Sequence, residues 1–113
     1  MMIHESLETP IQGYYDAVVV GAGPAGCGAA IALGRSGMKT LILDRYNCLG
    51  GAWTTGFMNP LFDFKNKTGI VGELVSELKE RNQFGGFGNM SFNYEYMKRI
   101  LERKMQEANV EVL

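Results

Sequence analysis

Residues 14–51 read YYDAVVVGAGPAGCGAAIALGRSGMKTLILDRYNCLGG, and the architecture is written in that line. Tyr14 to Val20 is a short β-branched run. A run apolar on both faces predicts a strand of a parallel sheet, buried on both sides. Gly21 to Gly26 interrupts it as a turn. Pro24 to Ser36 predicts a helix of small residues, including Ala29, Ala30, Ile31, Ala32 and Leu33, and Gly37 supplies its left-handed stop. Met38 to Asp44 (MKTLILD) predicts a second buried strand. Strand, helix and strand within about 30 residues make a βαβ unit, with a right-handed crossover expected.

The turn itself, Gly21-Ala22-Gly23-Pro24-Ala25-Gly26, is a G-x-G-x-x-G sequence. Alone the pattern says little. Between a strand and a helix it becomes a dinucleotide fingerprint with a mechanism. Gly21 permits the tight turn. Gly23 lets backbone approach a pyrophosphate without a Cβ in the way, and Gly26 lets helix and strand pack closely. The helix N-terminus offers unpaired N–H groups and the positive end of its dipole to phosphate. Asp44 ends the second strand 18 residues after Gly26. A carboxylate there accepts from both hydroxyls of an adenosine ribose and repels a 2′-phosphate, which disfavours NADP. FAD and NAD share this arrangement, so the fingerprint does not choose between them.

Outward from this unit, residues 1–13 are polar and irregular, an arm leading into the domain at 14–113. Arg45 to Gly69 is loop-like, with Gly50-Gly51, Thr54-Thr55-Gly56 and Asn59-Pro60. A loop of that length in a small domain is usually functional. Ile70, Val71, Leu74, Val75 and Leu78 recur at helical spacing and predict a helix over 70–81. Phe84 to Asn89 (FGGFGN) reads as a second glycine-rich loop. Tyr94, Met97, Leu101, Met105 and Ala108 mark another amphipathic helix that Asn109 can end, and Val110 to Leu113 begins a third strand.

Composition narrows the function classes. A chain of 113 residues with 46% hydrophobic and 20% charged residues suits one small domain. A formal charge of −1 supplies no broad positive field for nucleic acid or anionic lipid. Cys27 and Cys48 form no CxxC pair, and His4 is the only histidine. Neither a disulfide framework nor a metal site is expected, and free thiols suit a reducing, cytoplasmic setting. Ala17 to Gly34 carries no charge, but it holds five glycines and Pro24. It reads as strand–turn–helix rather than a membrane span. Met1 to Asp16 lacks a basic leader segment. Cys27, Tyr14 and Tyr15 read as packing residues, Phe84 and Phe87 as core plugs with a substrate wall as the alternative, and Trp53 either as packing or as a neighbour of the cofactor.

Residues 15–51, YDAVVVGAGPAGCGAAIALGRSGMKTLILDRYNCLGG, resemble the opening of FAD-dependent oxidoreductases of the glutathione-reductase-type Rossmann superfamily. The resemblance rests on Pro24-Ala25 inside the fingerprint, on the acid-plus-base step Asp44-Arg45, and on the pair Gly50-Gly51. The segment Gly50-Gly51-Ala52-Trp53-Thr54-Thr55-Gly56 is similar to the GG-x-x-T-x-G-like stretch of the group simply called FAD-dependent oxidoreductases. Residues 91–113, SFNYEYMKRILERKMQEANVEVL, are similar to it as well. Asn109 stands where glycine is usual, and Asn tolerates the left-handed conformation. The resemblance implies a Rossmann-like FAD/NAD(P)-binding α/β fold with a parallel sheet, with FAD as cofactor. It also implies that Gly50 to Gly56 lines the pyrophosphate or flavin side. The expected cofactor contacts are Gly21, Gly23, Pro24, Ala25, Gly26, Asp44, Arg45, Gly50, Gly51, Ala52, Thr54 and Thr55. The disulfide reductases of the superfamily carry a redox cysteine pair after the GG; Ala52 to Phe57 contains none.

The expectation is therefore an incomplete FAD-binding domain, the N-terminal part of an oxidoreductase acting by hydride or electron transfer on a small organic substrate. The rest of the polypeptide would complete it. No catalytic acid or base is identified. An NAD-dependent dehydrogenase, a thiazole-synthase-like enzyme and a truncated remnant without catalysis stay open as alternatives.

Overall fold

The computed structural model describes all residues, 1–113. In chain order the elements are β1 (Ala17–Val20), α1 (Pro24–Arg35), β2 (Thr40–Leu43), a 3-10 turn at Gly51–Trp53, and α2 (Gly69–Glu80). There follow β3 (Phe84–Gly85), a second 3-10 turn at Phe87–Asn89, β4 (Ser91–Phe92), α3 (Tyr94–Glu107) and β5 (Glu111–Val112). β1 pairs with β2 in parallel, from Ala17 opposite Thr40 to Val20 opposite Leu43. β5 pairs with the other side of β2, also in parallel, with Leu41 opposite Glu111. The strand order β1-β2-β5 places β2 in the middle. This is the expected α/β arrangement on a parallel sheet.

The helices form for legible reasons. α1 starts at Pro24, whose missing N–H costs nothing at a helix start. It stops at Ser36, with Gly37 at φ 88° just beyond. α3 is capped by Asn93, whose side chain accepts from the Glu95 and Tyr96 N–H groups, and it ends at Asn109 in the left-handed region (φ 54°). Its buried residues Met97, Ile100, Leu101 and Met105 follow the helical repeat and face one core with Cys27, Ala30, Ile31, Ile42, Leu74 and Leu78. Burying one such aliphatic side chain contributes roughly 1.5–3 kcal/mol. Gly34 lets α1 lie close to the end of α3, because a Cβ there would meet Val110 Cγ2 at 2.7 Å and overlap the Ala108 carbonyl.

A charged tie joins the helices on their outer side. Glu73 on α2 accepts from both Arg35 terminal nitrogens at 2.7 Å and from buried Lys104 Nζ at 2.9 Å. The Arg35 guanidinium and the Lys104 ammonium hold the Glu73 carboxyl down at about 2. Arg103 pairs with Glu77 beside it.

Several expectations need correction. The strands are shorter than the apolar runs that announced them; β1 begins at Ala17, not Tyr14, and Tyr14 is exposed. β1 is covered on one face only. Val19 packs against the core, whereas Val18 and Val20 are 51% and 78% exposed, because all the helices that meet the core lie on the Val19 side. The glycine-rich stretch at 84–89 is not simply a loop. β3 and β4 pair antiparallel, and Asn59 to Leu61 adds to their edge through a Pro60–Ser91 bridge and the bond from Leu61 N–H to the Met90 carbonyl. Strands of two residues leave no readable alternation. Phe84 is half-buried, edge-on to Phe64 at 4.9 Å, but Phe87 is 89% exposed and plugs nothing. Residues 1–13 are exposed and form no helix or strand. No helix is long and apolar enough to cross a membrane.

Candidate nucleotide site

The carboxyl ends of β1, β2 and β5 lie side by side, and the chemically equipped residues gather there. In open parallel sheets this is where ligands bind. The turn leaves β1 with Gly21 at φ 100°, a conformation that glycine adopts freely, and the Gly21 N–H still donates to the Leu43 carbonyl at 2.8 Å. One strand over, Asp44 N–H donates to the Leu113 carbonyl at 3.1 Å, so the residue is fixed between β1 and β5. Its side chain reaches back over the turn. Oδ2 accepts from Ala22 N–H at 2.6 Å and Oδ1 from Tyr46 N–H at 3.0 Å. The Tyr46 and Ala22 amides together hold the Asp44 carboxyl below the usual aspartate range, so it is charged at neutral pH.

The glycines divide into two kinds. A Cβ on Gly26 would overlap the Gly21 carbonyl oxygen, so Gly26 is required by the fold. A Cβ on Gly21 or Gly23 would meet nothing within 4 Å. Gly23 has φ −69° and ψ −178°, which any residue adopts. The space in front of Gly23 is open, and nothing in the protein explains the absence of a side chain there.

The Gly50-Gly51 segment is docked directly on this turn. Gly50 N–H donates to the Ala22 carbonyl at 2.7 Å. A Cβ on Gly51 would lie 2.8 Å from Gly23 Cα. The contact joins two sets of unused donors. Gly23, Ala25 and Gly26 N–H at the start of α1 have no protein acceptor, and neither do Gly51 and Ala52 N–H. Pro24 has no N–H to offer, and its ring lies beside Gly51. Unpaired amides at a helix start, joined by those of a second glycine loop, suit a diphosphate. The donor set and the Cβ-free space fit the pyrophosphate of an adenine dinucleotide, and the Asp44 carboxylate beside them fits its ribose hydroxyls.

Next to Asp44 the structure opens a cleft of about 270 Å³. Its walls include Ile42, Cys48, Leu49, Met105, Val110 and Leu113. Sequence reasoning missed all of these as site residues. The usable signal was positional: Cys48 and Leu49 follow β2 and Leu113 follows β5, at the same end of the sheet as the fingerprint.

The other expected contacts fall in different places. Ala52 and Thr55 are exposed on the 3-10 turn and just after it, and Thr55 Oγ1 donates to the Gly51 carbonyl at 3.0 Å. The Arg45 guanidinium lies over the Tyr46 ring, 4.9 Å from its centroid, and not over the turn. Thr54 is fully buried, with its hydroxyl donating inward to the Leu49 carbonyl at 2.6 Å. Trp53 is half-buried and edge-on to Phe92 at 6.3 Å, so it packs. Cys27 is buried under the turn and donates to the Ala22 carbonyl at 3.3 Å; burial pushes its thiol up to about 11, which keeps it neutral.

Known proteins share the fold and the family. Among solved structures, a thioredoxin reductase from Gloeobacter violaceus superposes with a TM-score of 0.50 at 20% identity, over 88% of this chain and 24% of that one. THI4 from Thermovibrio ammonificans gives 0.55 at 18% identity, over 88% and 38%. These likenesses show the fold. A soluble pyridine nucleotide transhydrogenase from Yersinia enterocolitica is 44% identical over 41 residues, 36% of this chain. The chain spans 9% of that relative's length. The family model for FAD dependent oxidoreductase matches residues 16–113. The chain belongs to the FAD dependent oxidoreductase family, and its cofactor is FAD.

Proposed function

We infer that residues 14–113 hold the ADP half of FAD in an oxidoreductase that transfers hydride or electrons to or from a small organic substrate. The start of α1 and the Gly50–Ala52 amides take the pyrophosphate, Asp44 takes the adenosine ribose, and the cleft beside it takes the adenine. Gly50 to Gly56 leads towards the flavin. One observation carries this reading. Gly23, Ala25, Gly26, Gly51 and Ala52 all have unused amides, and the Gly51–Gly23 contact holds them around space that a Cβ would fill.

Bound flavin supplies the redox chemistry, and the protein supplies position and electrostatics. No acid or base among these residues is placed to act on a substrate. The residues that touch it belong to a further part of the polypeptide, in keeping with the small share of the transhydrogenase that the chain covers. The free thiols Cys27 and Cys48 favour a reducing compartment.

Titration with FAD and with NAD tests the reading. FAD is expected to bind with a flavin absorbance band and the larger rise in melting temperature. A protein that takes up no FAD, or that prefers NAD, overturns it.

A further inference from the structure

Thr54 behaves unlike the other expected cofactor contacts, since it is fully buried and turned away from the open space at Gly23. Its Oγ1 donates to the Leu49 carbonyl at 2.6 Å. No backbone N–H reaches that carbonyl, and Leu49 is itself buried. The Thr54 methyl and hydroxyl also fill the space under Gly50, where a Cβ would stand 2.6 Å from Cγ2 and 2.7 Å from Oγ1. On the opposite side, Gly50 N–H is tied to the Ala22 carbonyl and Gly51 rests on Gly23. The 3-10 turn closes back on the same residues through bonds from Trp53 N–H to the Gly50 carbonyl and from Thr54 N–H to the Gly51 carbonyl.

We propose that Thr54 is a positioning residue for the cofactor: without touching it, Thr54 sets the Leu49–Gly50 backbone so that the Gly51 and Ala52 amides meet the pyrophosphate. The inference rests on the FAD reading above. The hydroxyl carries the effect through its bond to the Leu49 carbonyl, and the methyl only fills space beside Gly50. Valine keeps the shape but leaves a buried carbonyl without a donor. Serine keeps the donor and loses only the methyl.

The test compares Thr54→Val and Thr54→Ser in the full chain. The readouts are FAD affinity, the melting temperature of the unliganded protein, and the emission of Trp53, the only tryptophan, one residue away. Thr54→Val is expected to weaken FAD binding about tenfold and to shift the Trp53 emission, while Thr54→Ser stays within about threefold of the parent. A merely structural role predicts instead that both variants lose affinity in step with their melting temperatures, and that result overturns the proposal. So does wild-type affinity in Thr54→Val. If Thr54→Val fails to fold, Thr54→Ala, which also lacks the donor, takes its place with the same outcomes. A parent protein that binds no FAD overturns the FAD reading and this inference together. A parent that binds FAD beside an unaffected Thr54→Val overturns this inference alone.

Discussion

Gly23→Ala separates a glycine kept for the fold from one kept for the ligand. Its backbone angles, φ −69° and ψ −178°, are open to alanine without strain. The added methyl meets no atom of the protein within 4 Å. A glycine-to-alanine change at a compatible site stabilises by about 0.4–1 kcal/mol, through the lost freedom of the unfolded chain. For a domain of this size, that is a rise of a few degrees, roughly 2–6 °C, in melting temperature. The same methyl stands beside the Gly23, Ala25 and Gly51 amides, in the space assigned to the pyrophosphate. Displacing a diphosphate from two such charge-assisted bonds costs about 1.5–3 kcal/mol for each, or a loss of at least about 100-fold in affinity. The assay pairs FAD titration by flavin fluorescence with thermal melting of the unliganded protein. Gly28→Ala is the control, because Gly28 lies within α1 and its added Cβ also meets nothing. It is expected to raise stability by up to about 1 kcal/mol and to leave FAD affinity alone. If Gly23→Ala binds FAD within about threefold of the parent, the pyrophosphate does not lie against Gly23, and the reasoning fails.

Other perturbations separate the fold from the site in the same way. Gly26→Ala drives a Cβ into the Gly21 carbonyl, and should cost about 3 kcal/mol of stability in urea unfolding, since backbone cannot easily yield. Asp44→Asn should weaken FAD binding about tenfold through the lost charge-assisted bonds, measured by the same titration. Because its amide partners hold the Asp44 carboxyl below 3.8, the parent's affinity should stay flat between about pH 8 and pH 5. Glu73 predicts an acid limb of stability. Its folded carboxyl sits at about 2 against an ordinary 4.5, so between those values the unfolded chain binds more protons. The stabilisation is complete above pH 4.5 and is lost as pH falls towards 2. Glu73→Gln should flatten the dependence of the urea midpoint on pH across that window, and an unchanged slope would remove the tie from the account.

What could be read in advance followed the range of the interaction that decides each feature. α1, α2 and α3 were legible because their caps and apolar repeats are local: Pro24 and Gly37, Leu74 and Leu78, Asn109 after Met105. The parallel pairing of β1 with β2 followed from the glycine turn and the helix between them. The short hairpin was not legible, because the Phe84–Phe92 pairing depends on a strap from Asn59 to Leu61, more than twenty residues earlier in the chain. The open face of β1 was not legible either. Ala-Val-Val-Val is the same string whether one face or two are covered, and cover is supplied by elements distant in sequence.

The site shows the same division within single residues. Gly23 and Gly26 are identical letters three positions apart, and the fingerprint gives each a role, but only the positions of neighbouring atoms show which role can be tested by stability and which by binding. Thr54 and Thr55 are adjacent and alike, and the family resemblance implied both as cofactor contacts. The 3-10 turn at Gly51–Trp53 sends one hydroxyl into the core and leaves the other exposed. The Gly51–Gly23 contact, which brings the two sets of amides together, spans 28 positions and involves no side chain at all. A pattern of residue types cannot encode such a contact except as an absence, a place where nothing larger than hydrogen is tolerated. The glycine pair after the second strand is therefore best understood as the second half of the turn after the first: one donor array, divided between two loops and aligned by backbone packing.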